Sequence, residues 1–335
     1  MKLEFVSFSD KGAVLAQRLA AQFEAAPHTA AHENPDFSLQ EWTKSAFACA
    51  DALVFIGAVG IAVRAIAPYV SSKISDPAVV VLDECARFAI PILSGHLGGA
   101  NALAQQLAAC CSAVPVLTTA TDANGVFAVD TWAKQQDCAI LNPEKIKVVS
   151  AKLLAGGQVL FSAPWAVQGQ PPVGVALTES DNCDIQLTLQ SGRNAVQSKA
   201  LRLVPRCAVL GIGCKKGTPQ AEIEAAVTTL FETEHLALQA LCGVCSIDLK
   251  KDEPGLLAFC AAHRVPFDTF TAEQLCSVAG EFSSSEFVQR ITGVDNVCER
   301  SAVLGSGGRL IVHKHSGNGV TLAVALKPFH PNWRW

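Results

Sequence analysis

Ser94-Gly95-His96-Leu97-Gly98-Gly99-Ala100-Asn101 is the densest run of chemistry-bearing residues in the chain. It combines an imidazole, which exchanges protons near neutral pH, with a hydroxyl, an amide and glycines at the entrance of an apolar helix, where backbone N–H groups can meet an anion. A Ser94–His96 nucleophile pair is excluded: the G-x-S-x-G elbow is missing, and residues so close in one loop rarely form a nucleophile–base pair. Water activated by His96 or Glu84 is the simpler hydrolytic route. Thr118-Thr119-Ala120-Thr121-Asp122 follows another strand end and adds hydroxyls and a carboxylate to what is expected to be the same sheet edge. Glu84, His96 and Asp122 are therefore expected to converge, with Ser94 and neighbouring N–H groups donating to an oxyanion.

Upstream, Gly57-Ala58-Val59-Gly60-Ile61-Ala62-Val63-Arg64 follows a strand and opens a helix. Gly57 and Gly60 let a ligand approach the backbone, and Arg64, one turn in, can hold a carboxylate bidentately. Lys73, Asp76, Asp83 and Glu84 flank the next strand, and polar groups at the carboxyl ends of strands sit where open α/β sheets bind ligands. In the second half, Gly211-Ile212-Gly213-Cys214-Lys215-Lys216-Gly217 lies between a strand and a helix. It fits neither the P-loop nor the dinucleotide template, but Lys215 and Lys216 beside glycine backbone can cradle an anion. Asp248 closes another strand. Each cluster also has a plain reading, as a glycine turn, an acidic turn or a helix cap. His313 and His315 share a strand face without further ligands nearby, and Cys242-Gly243-Val244-Cys245 lacks a second pair, so no metal site is expected.

These clusters need strands and helices to position them. Leu3–Phe8, Leu53–Ile56, Val79–Leu82, Ala89–Leu93 and Val114–Leu117 read as strands, with helices over 11–25, 61–67, 99–111 and 126–135. Strands and helices alternating at this spacing predict an α/β fold with mainly parallel sheets. Residues 136–205 carry short β-like pieces between Gly, Pro and Asn turns, a small irregular middle region. Residues 206–328 return to strand–helix alternation, with Thr218 as helix cap and Pro219 as first helical residue. The expected organisation is thus an N-terminal α/β domain (1–135), the middle region (136–205) and a C-terminal α/β domain (206–328).

The 335 residues are 50% hydrophobic and 17% charged, which permits sizeable cores and excludes a disordered chain. A net charge of −4 without a basic stripe gives no support to nucleic-acid binding. Thirteen irregularly spaced Cys do not form a disulfide framework. With no leader-like start and no apolar run long enough to span a bilayer, the chain reads as cytoplasmic, without a membrane partner.

Taken together, Gly57–Arg64 with Ile66-Ala67-Pro68, Lys73 through Asp83-Glu84, Ile90 through Asn101, Thr118–Asp122 with Ala128-Val129-Asp130, Gly211–Gly217, Ser246–Gly255, Pro266-Phe267, Ser285–Val288 and Lys314 with Gly319-Val320-Thr321 resemble the cobalt-precorrin-5A hydrolase family. The resemblance spans nearly the whole chain and is weakest in the middle region. His313-Lys314-His315 and the Cys242–Cys245 spacing depart from it. It implies an enzyme of anaerobic cobalamin biosynthesis that opens the ring-A δ-lactone of a cobalt tetrapyrrole and expels acetaldehyde, with cobalt carried by the substrate and no cofactor of the protein's own. The residues' own chemistry, which agrees with this in kind, points to substrate contacts at Gly57, Gly60, Arg64, Lys73, Ser94, Gly95, Gly98, Gly99, Asn101, Thr119, Gly211, Gly213, Lys215, Lys216 and Asp248, and to catalysis by His96 with Glu84 or Asp122. The expected partner is the small-molecule tetrapyrrole. Transient contact with other enzymes of that pathway and a homodimer are both compatible with this role. A non-catalytic tetrapyrrole carrier would use the same anion-binding loops, and only an activated-water site separates the two.

Overall fold

A computed structural model describes the chain except residues 26–28, 73, 74, 97 and 192–198 and the side chains of Ala30, Asp122 and Phe287. The chain divides into two compact units, Met1–Thr131 and Trp132–Trp335.

The first unit runs β1 (Leu3–Ser7), α1 (Asp10–Gln22), β2 (Thr29–Ala30), α2 (Leu39–Cys49), β3 (Ala52–Ile56), α3 (Val59–Ile66), β4 (Ala78–Leu82), β5 (Phe88–Leu93), α4 (Ala100–Cys111), β6 (Val114–Pro115) and α5 (Ala120–Asn124), and its last residues enter α6 (Val129–Gln135). The strands form one sheet in the order β2-β1-β3-β4-β5-β6. Every residue of β3 and β4 is buried, because helices cover both faces, which is why these strands are continuous apolar runs rather than alternating ones. Leu15, Ala16 and Leu19 of α1 and Leu103, Ala104 and Leu107 of α4 close over Phe5, Val54 and Val80 on one face. Ala46 of α2 and Ala62 and Ile66 of α3 close over Leu53, Phe55 and Val81 on the other. Ser9 caps α1, its Oγ accepting from Gly12 N at 3.2 Å.

One pairing sets the position of the polar loops. β4 and β5 are antiparallel, with Leu82 opposite Ala89 and Val79 opposite Leu93, and β6 runs parallel to β5. Asp83 closes this hairpin. Its carboxylate accepts from the backbone N–H of Cys85 (3.0 Å), Arg87 (2.9 Å) and Phe88 (2.7 Å). Burial alone would raise its pKa, but these donors hold it below the usual aspartate value.

The second unit carries two sheets. The first contains β7 (Cys138–Ile140), β8 (Val159–Ser162), β9 (Val175–Leu177), β10 (Ile185–Leu187) and β11 (Leu201–Pro205), in the order β7-β11-β10-β8-β9, with α7 (Ile146–Leu154) after β7. The stretch read as irregular thus forms a five-stranded sheet, parallel apart from β7. The chain end returns to it: Trp132 Nε1 donates to Asn332 O at 2.7 Å, and the Trp132, Phe161 and Trp333 rings pack together at 5.0–5.9 Å.

The other sheet is built from β12 (Ala208–Cys214), α8 (Gln220–Thr233), β13 (Leu241–Ile247), α9 (Pro254–His263), β14 (Phe267–Phe270), α10 (Ala272–Cys276), α11 (Glu286–Thr292), α12 (Cys298–Ser306), β15 (Arg309–Gly317) and β16 (Val320–Leu326), ordered β14-β13-β12-β16-β15. β12, β13 and β14 are parallel, and β16 and β15 return antiparallel. Ile223, Val227 and Leu230 of α8 and Leu256 and Phe259 of α9 pack over Leu210, Ile212 and Val244. Pro219 takes the cap position of α8, and the Thr218 hydroxyl instead donates to Lys215 O at 2.9 Å, tightening the lysine turn. This corrects the expected Thr218 cap. No helix among the described residues is long and apolar enough to cross a membrane.

Candidate functional site

In the first unit the β5–α4 loop builds a hydrogen-bonded cluster at one sheet edge. Ser94, in the left-handed region (φ 54°), turns the chain out of β5. Its hydroxyl donates to Asp76 O at 3.0 Å, and its carbonyl accepts from Ala100 N at 3.1 Å. Gly95 O accepts from Asn101 N at 3.0 Å, so the loop itself caps α4. Gly98 is required here, because a Cβ would lie 2.3 Å from Ser94 Cβ. Gly99 has φ 91°, a conformation that favours glycine. The buried Asn101 donates from Nδ2 to Thr119 Oγ1 at 2.9 Å. The half-buried His96 ring is held at both nitrogens, Nδ1 on Thr131 Oγ1 and Nε2 on Thr121 Oγ1, each at 2.9 Å. Threonine hydroxyls donate or accept, so this pair accommodates either tautomer of a neutral imidazole.

The structure thus brings together Ser94, Gly95, His96, Gly98, Gly99, Asn101 and Thr119. Asp122 lies on the backbone of α5, with its side chain outside the described set. Two expectations are corrected. Ser94 is not poised as an oxyanion donor, because its hydroxyl proton is committed to Asp76 O and the N–H groups of Ala100 and Asn101 to loop carbonyls. Glu84 does not meet His96: the antiparallel hairpin puts it at the other end of β4, where the exposed carboxylate accepts from Ser9 Oγ at 2.5 Å beside the start of α1. A strand length, roughly 15–20 Å at ~3.4 Å per residue, separates the two edges.

Glu84's edge also carries the Gly57–Arg64 turn. A Cβ on Gly57 would come within 2.9 Å of the Phe8 ring, a packing reason for glycine there. The exposed Arg64 folds back along α3, its Nη1 3.6 Å from where a Gly60 Cβ would sit. Lys73 lies outside the described residues.

The second unit contains a cavity of about 1180 Å³, larger than the ~300–1,000 Å³ of ordinary small-molecule sites. Lys215, Lys216 and Lys314 line it together with Leu249, Val288 and Ile291, so cations and apolar side chains share one concavity. Gly213 opens its floor, where a Cβ would lie 2.7 Å from Thr321 Oγ1. Buried Glu253 sets the lysine turn, its Oε1 accepting from Gly217 N at 2.5 Å and its Oε2 from Lys250 Nζ at 3.0 Å. Burial opposes ionisation of Glu253, but Lys250 and the Gly217 N–H outweigh it and lower its pKa. Lys250 is neutralised in this pair, and the remaining charged side chains of the lining are Lys215, Lys216, Lys314 and Asp252, an excess of cations that can meet a ligand's negative charge. Burial pushes the lining thiol of Cys298 up to about 11 and raises that of Cys214, so neither is a ready thiolate near neutral pH.

Two further expectations change. Gly211 is a strand residue rather than part of an anion cradle, and a Cβ would lie 1.8 Å from Cys298 O, so glycine lets α12 pack directly on β12. Asp248 is not among the cavity-lining residues. Sequence reasoning gave no role to Glu299 or Glu253. Only Glu253 has a sequence signal, as the residue before the helix-starting Pro254. Among the described residues no group of three His, Cys, Asp or Glu side chains is arranged to hold a metal ion.

Comparison with known proteins follows the same division. The family model described as Cobalamin synthesis G N-terminal matches residues 41–122, and that described as Cobalamin synthesis G C-terminus matches residues 208–325. A cobalt-precorrin-5A hydrolase of Salmonella typhimurium is 36% identical over 341 aligned positions, covering 94% of this chain and 95% of that protein. A cobalt-precorrin-5A hydrolase of Priestia megaterium is 31% identical, covering 83% of this chain and 79% of that protein. Protein CobE of a Sinorhizobium species is 33% identical over 120 positions, 35% of this chain and 78% of that protein.

Proposed function

Because the chain belongs to the cobalt-precorrin-5A hydrolase family, enzymes of cobalamin biosynthesis, we propose that it opens the ring-A δ-lactone of cobalt-precorrin-5A and releases acetaldehyde, leaving cobalt-precorrin-5B. The observation that carries this reading is the cavity, whose volume suits a macrocycle and whose Lys215, Lys216 and Lys314, which share the lining with Asp252 and the Lys250–Glu253 pair, suit its peripheral carboxylates. Leu249, Val288 and Ile291 supply apolar surface for a ring face, and Lys215, Lys216 and Lys314 supply charge-assisted hydrogen bonds. Cobalt is part of the substrate in this reading, and no cofactor of the protein's own enters it.

Within the first unit, taken by itself, the group suited to moving the protons of this reaction is the His96 cluster. A water oxygen adds to the lactone carbonyl as its proton passes to His96 through the threonine hydroxyl that donates to the ring, which takes the water proton as it gives up its own. The ring C–O bond then breaks and the leaving oxygen is protonated to a hydroxyl on the two-carbon arm. Removal of that hydroxyl proton forms the C=O of acetaldehyde as the C–C bond to the macrocycle breaks, and the bonding electrons pass into the cobalt macrocycle. His96 serves both directions because an imidazole carries both a basic nitrogen and an N–H. Thr121 and Thr131 hold the ring in place between transfers.

The test is turnover of cobalt-precorrin-5A in ¹⁸O-labelled water. One labelled oxygen in the newly freed carboxylate of cobalt-precorrin-5B supports lactone hydrolysis by acyl attack. Label in acetaldehyde beyond its exchange with solvent, with none in the carboxylate, refutes it.

A further inference from the structure

Glu299, in the first turn of α12, is completely buried (0% exposed) and does not itself line the cavity. Its carboxylate gathers donors from three separate stretches of chain. Oε1 accepts from Lys314 N at 2.7 Å and Ser283 Oγ at 3.0 Å, and lies 3.3 Å from His313 Nδ1. Oε2 accepts from Ser283 N and Asn296 Nδ2, both at 2.8 Å. Asn296 returns the contact, its Oδ1 accepting from Glu299 N at 2.8 Å. The next residue, Arg300, grips the same excursion elsewhere: Nε donates to Asp295 Oδ1 at 2.7 Å and Nη1 to Val278 O at 2.9 Å, and the guanidinium stands 4.6 Å from the Phe282 ring centre. Two consecutive residues of opposite charge therefore anchor the segment that carries α11.

This segment forms one wall of the cavity, presenting Val288, Ile291 and Thr292, and Lys314 belongs to the strand on Glu299's other side. Among the described residues a small core around Ile247, Leu275, Val294 and Val297 holds it apolarly. The Glu299 carboxylate joins the wall and the lysine strand. Burial opposes its ionisation, but the donors from Lys314, Ser283 and His313 outweigh this and lower its pKa, so the anionic form that these contacts require is the one present near neutral pH.

We propose that Glu299 is a positioning residue for substrate binding: it fixes the α11 wall against Lys314, so that a macrocycle face and a peripheral carboxylate are received together. This rests on the reading of the cavity as the macrocycle site. Glutamine has nearly the same shape, but its NH₂ replaces one oxygen. Turned one way it faces Lys314 N–H; turned the other it faces Ser283 N–H and Asn296 Nδ2. Either way a backbone donor loses its acceptor.

The experiment uses the full chain and Glu299→Gln, with Ser283→Ala as a second variant that removes one donor and keeps the backbone. Four quantities are measured: KM and kcat for cobalt-precorrin-5A, Kd for the corrin heptacarboxylate cobyrinic acid, and amide hydrogen exchange across 283–297. Glu299→Gln is expected to raise KM and Kd about tenfold, with kcat within about threefold of wild type, and to speed exchange in that segment. Ser283→Ala is expected to shift KM the same way by about two- to threefold, and it carries the test if Glu299→Gln does not fold. Faster exchange with unchanged KM and Kd would make Glu299 a purely structural residue and overturn the proposal. Unchanged cobyrinic acid affinity in a Lys215→Ala/Lys216→Ala variant would place the macrocycle elsewhere; that outcome overturns the cavity reading itself, whatever Glu299→Gln does.

Discussion

Glu84 and His96 lie at opposite ends of the β4–β5 hairpin, one held by Ser9 at the start of α1 and the other between Thr121 and Thr131. They cannot share a proton across that distance. Glu84→Gln is accordingly expected to leave kcat within about threefold of wild type, whereas His96→Gln lowers kcat by ~10²–10⁴-fold, the usual contribution of general acid–base catalysis. Steady-state kinetics of the two variants checks this. A raised KM with intact kcat in His96→Gln would make His96 a binding residue instead.

Exposed lysines act on a polyanion mainly through charge. Replacing Lys215 and Lys216 together by Ala is expected to weaken cobyrinic acid binding by roughly 30-fold, about 1 kcal/mol for each lysine. The difference from wild type should shrink as salt screens the charges. Equilibrium titration at low and high ionic strength measures both effects.

Gly211 separates packing from binding. The Cβ of Gly211→Ala meets Cys298 O at 1.8 Å, a backbone atom that cannot swing aside. Overpacking of this kind costs typically 1–3 kcal/mol, sometimes more. At about 2–4 °C per kcal/mol for a unit of this size, calorimetry should show the melting temperature of the second unit falling by several degrees. A stable variant with impaired substrate binding would restore Gly211 to the anion-binding loop.

Much of this was legible. The α/β character towards both ends of the chain, the glycine loop at Ser94–Asn101 and the lysine turn at Lys215–Lys216 follow from apolar runs punctuated by glycine and polar residues, whereas the sheet in the stretch read as irregular does not. The hairpin was legible too: the six residues between Leu82 and Ala89 are too few for a parallel crossover, which needs a dozen or more. Taking all strand ends as one edge overlooked that length and produced the Glu84–His96 pairing. Gly211 and Gly213 read as a loop because glycine is a turn former. Their place within β12 depends on distant elements: α12, nearly ninety residues downstream, packs on Gly211, and Thr321 of β16 lies against Gly213. Glu299 had no local signal, since all but one of its donors come from distant turns and strands.

Acid should unfold the second unit through carboxylates whose native contacts require the anion. The pKa values of Glu253, Glu299 and Asp295 are lowered in the fold, so the unfolded chain binds more protons as pH falls. Their stabilisation is complete above the unfolded values of about 3.9–4.3 and is lost as pH drops towards the lower folded values. Melting temperature followed from pH 6 down to about pH 3 should fall most steeply below about pH 4.5, and Glu299→Gln should flatten that fall. An acid limb identical in wild type and Glu299→Gln would contradict the assignment.

Purified protein incubated with cobalt-precorrin-5A should release acetaldehyde in step with loss of the lactone, one molecule for each substrate consumed, and His96→Gln should abolish most of that release. Tight binding of cobalt-precorrin-5A with no acetaldehyde formed and the lactone intact would contradict the proposal.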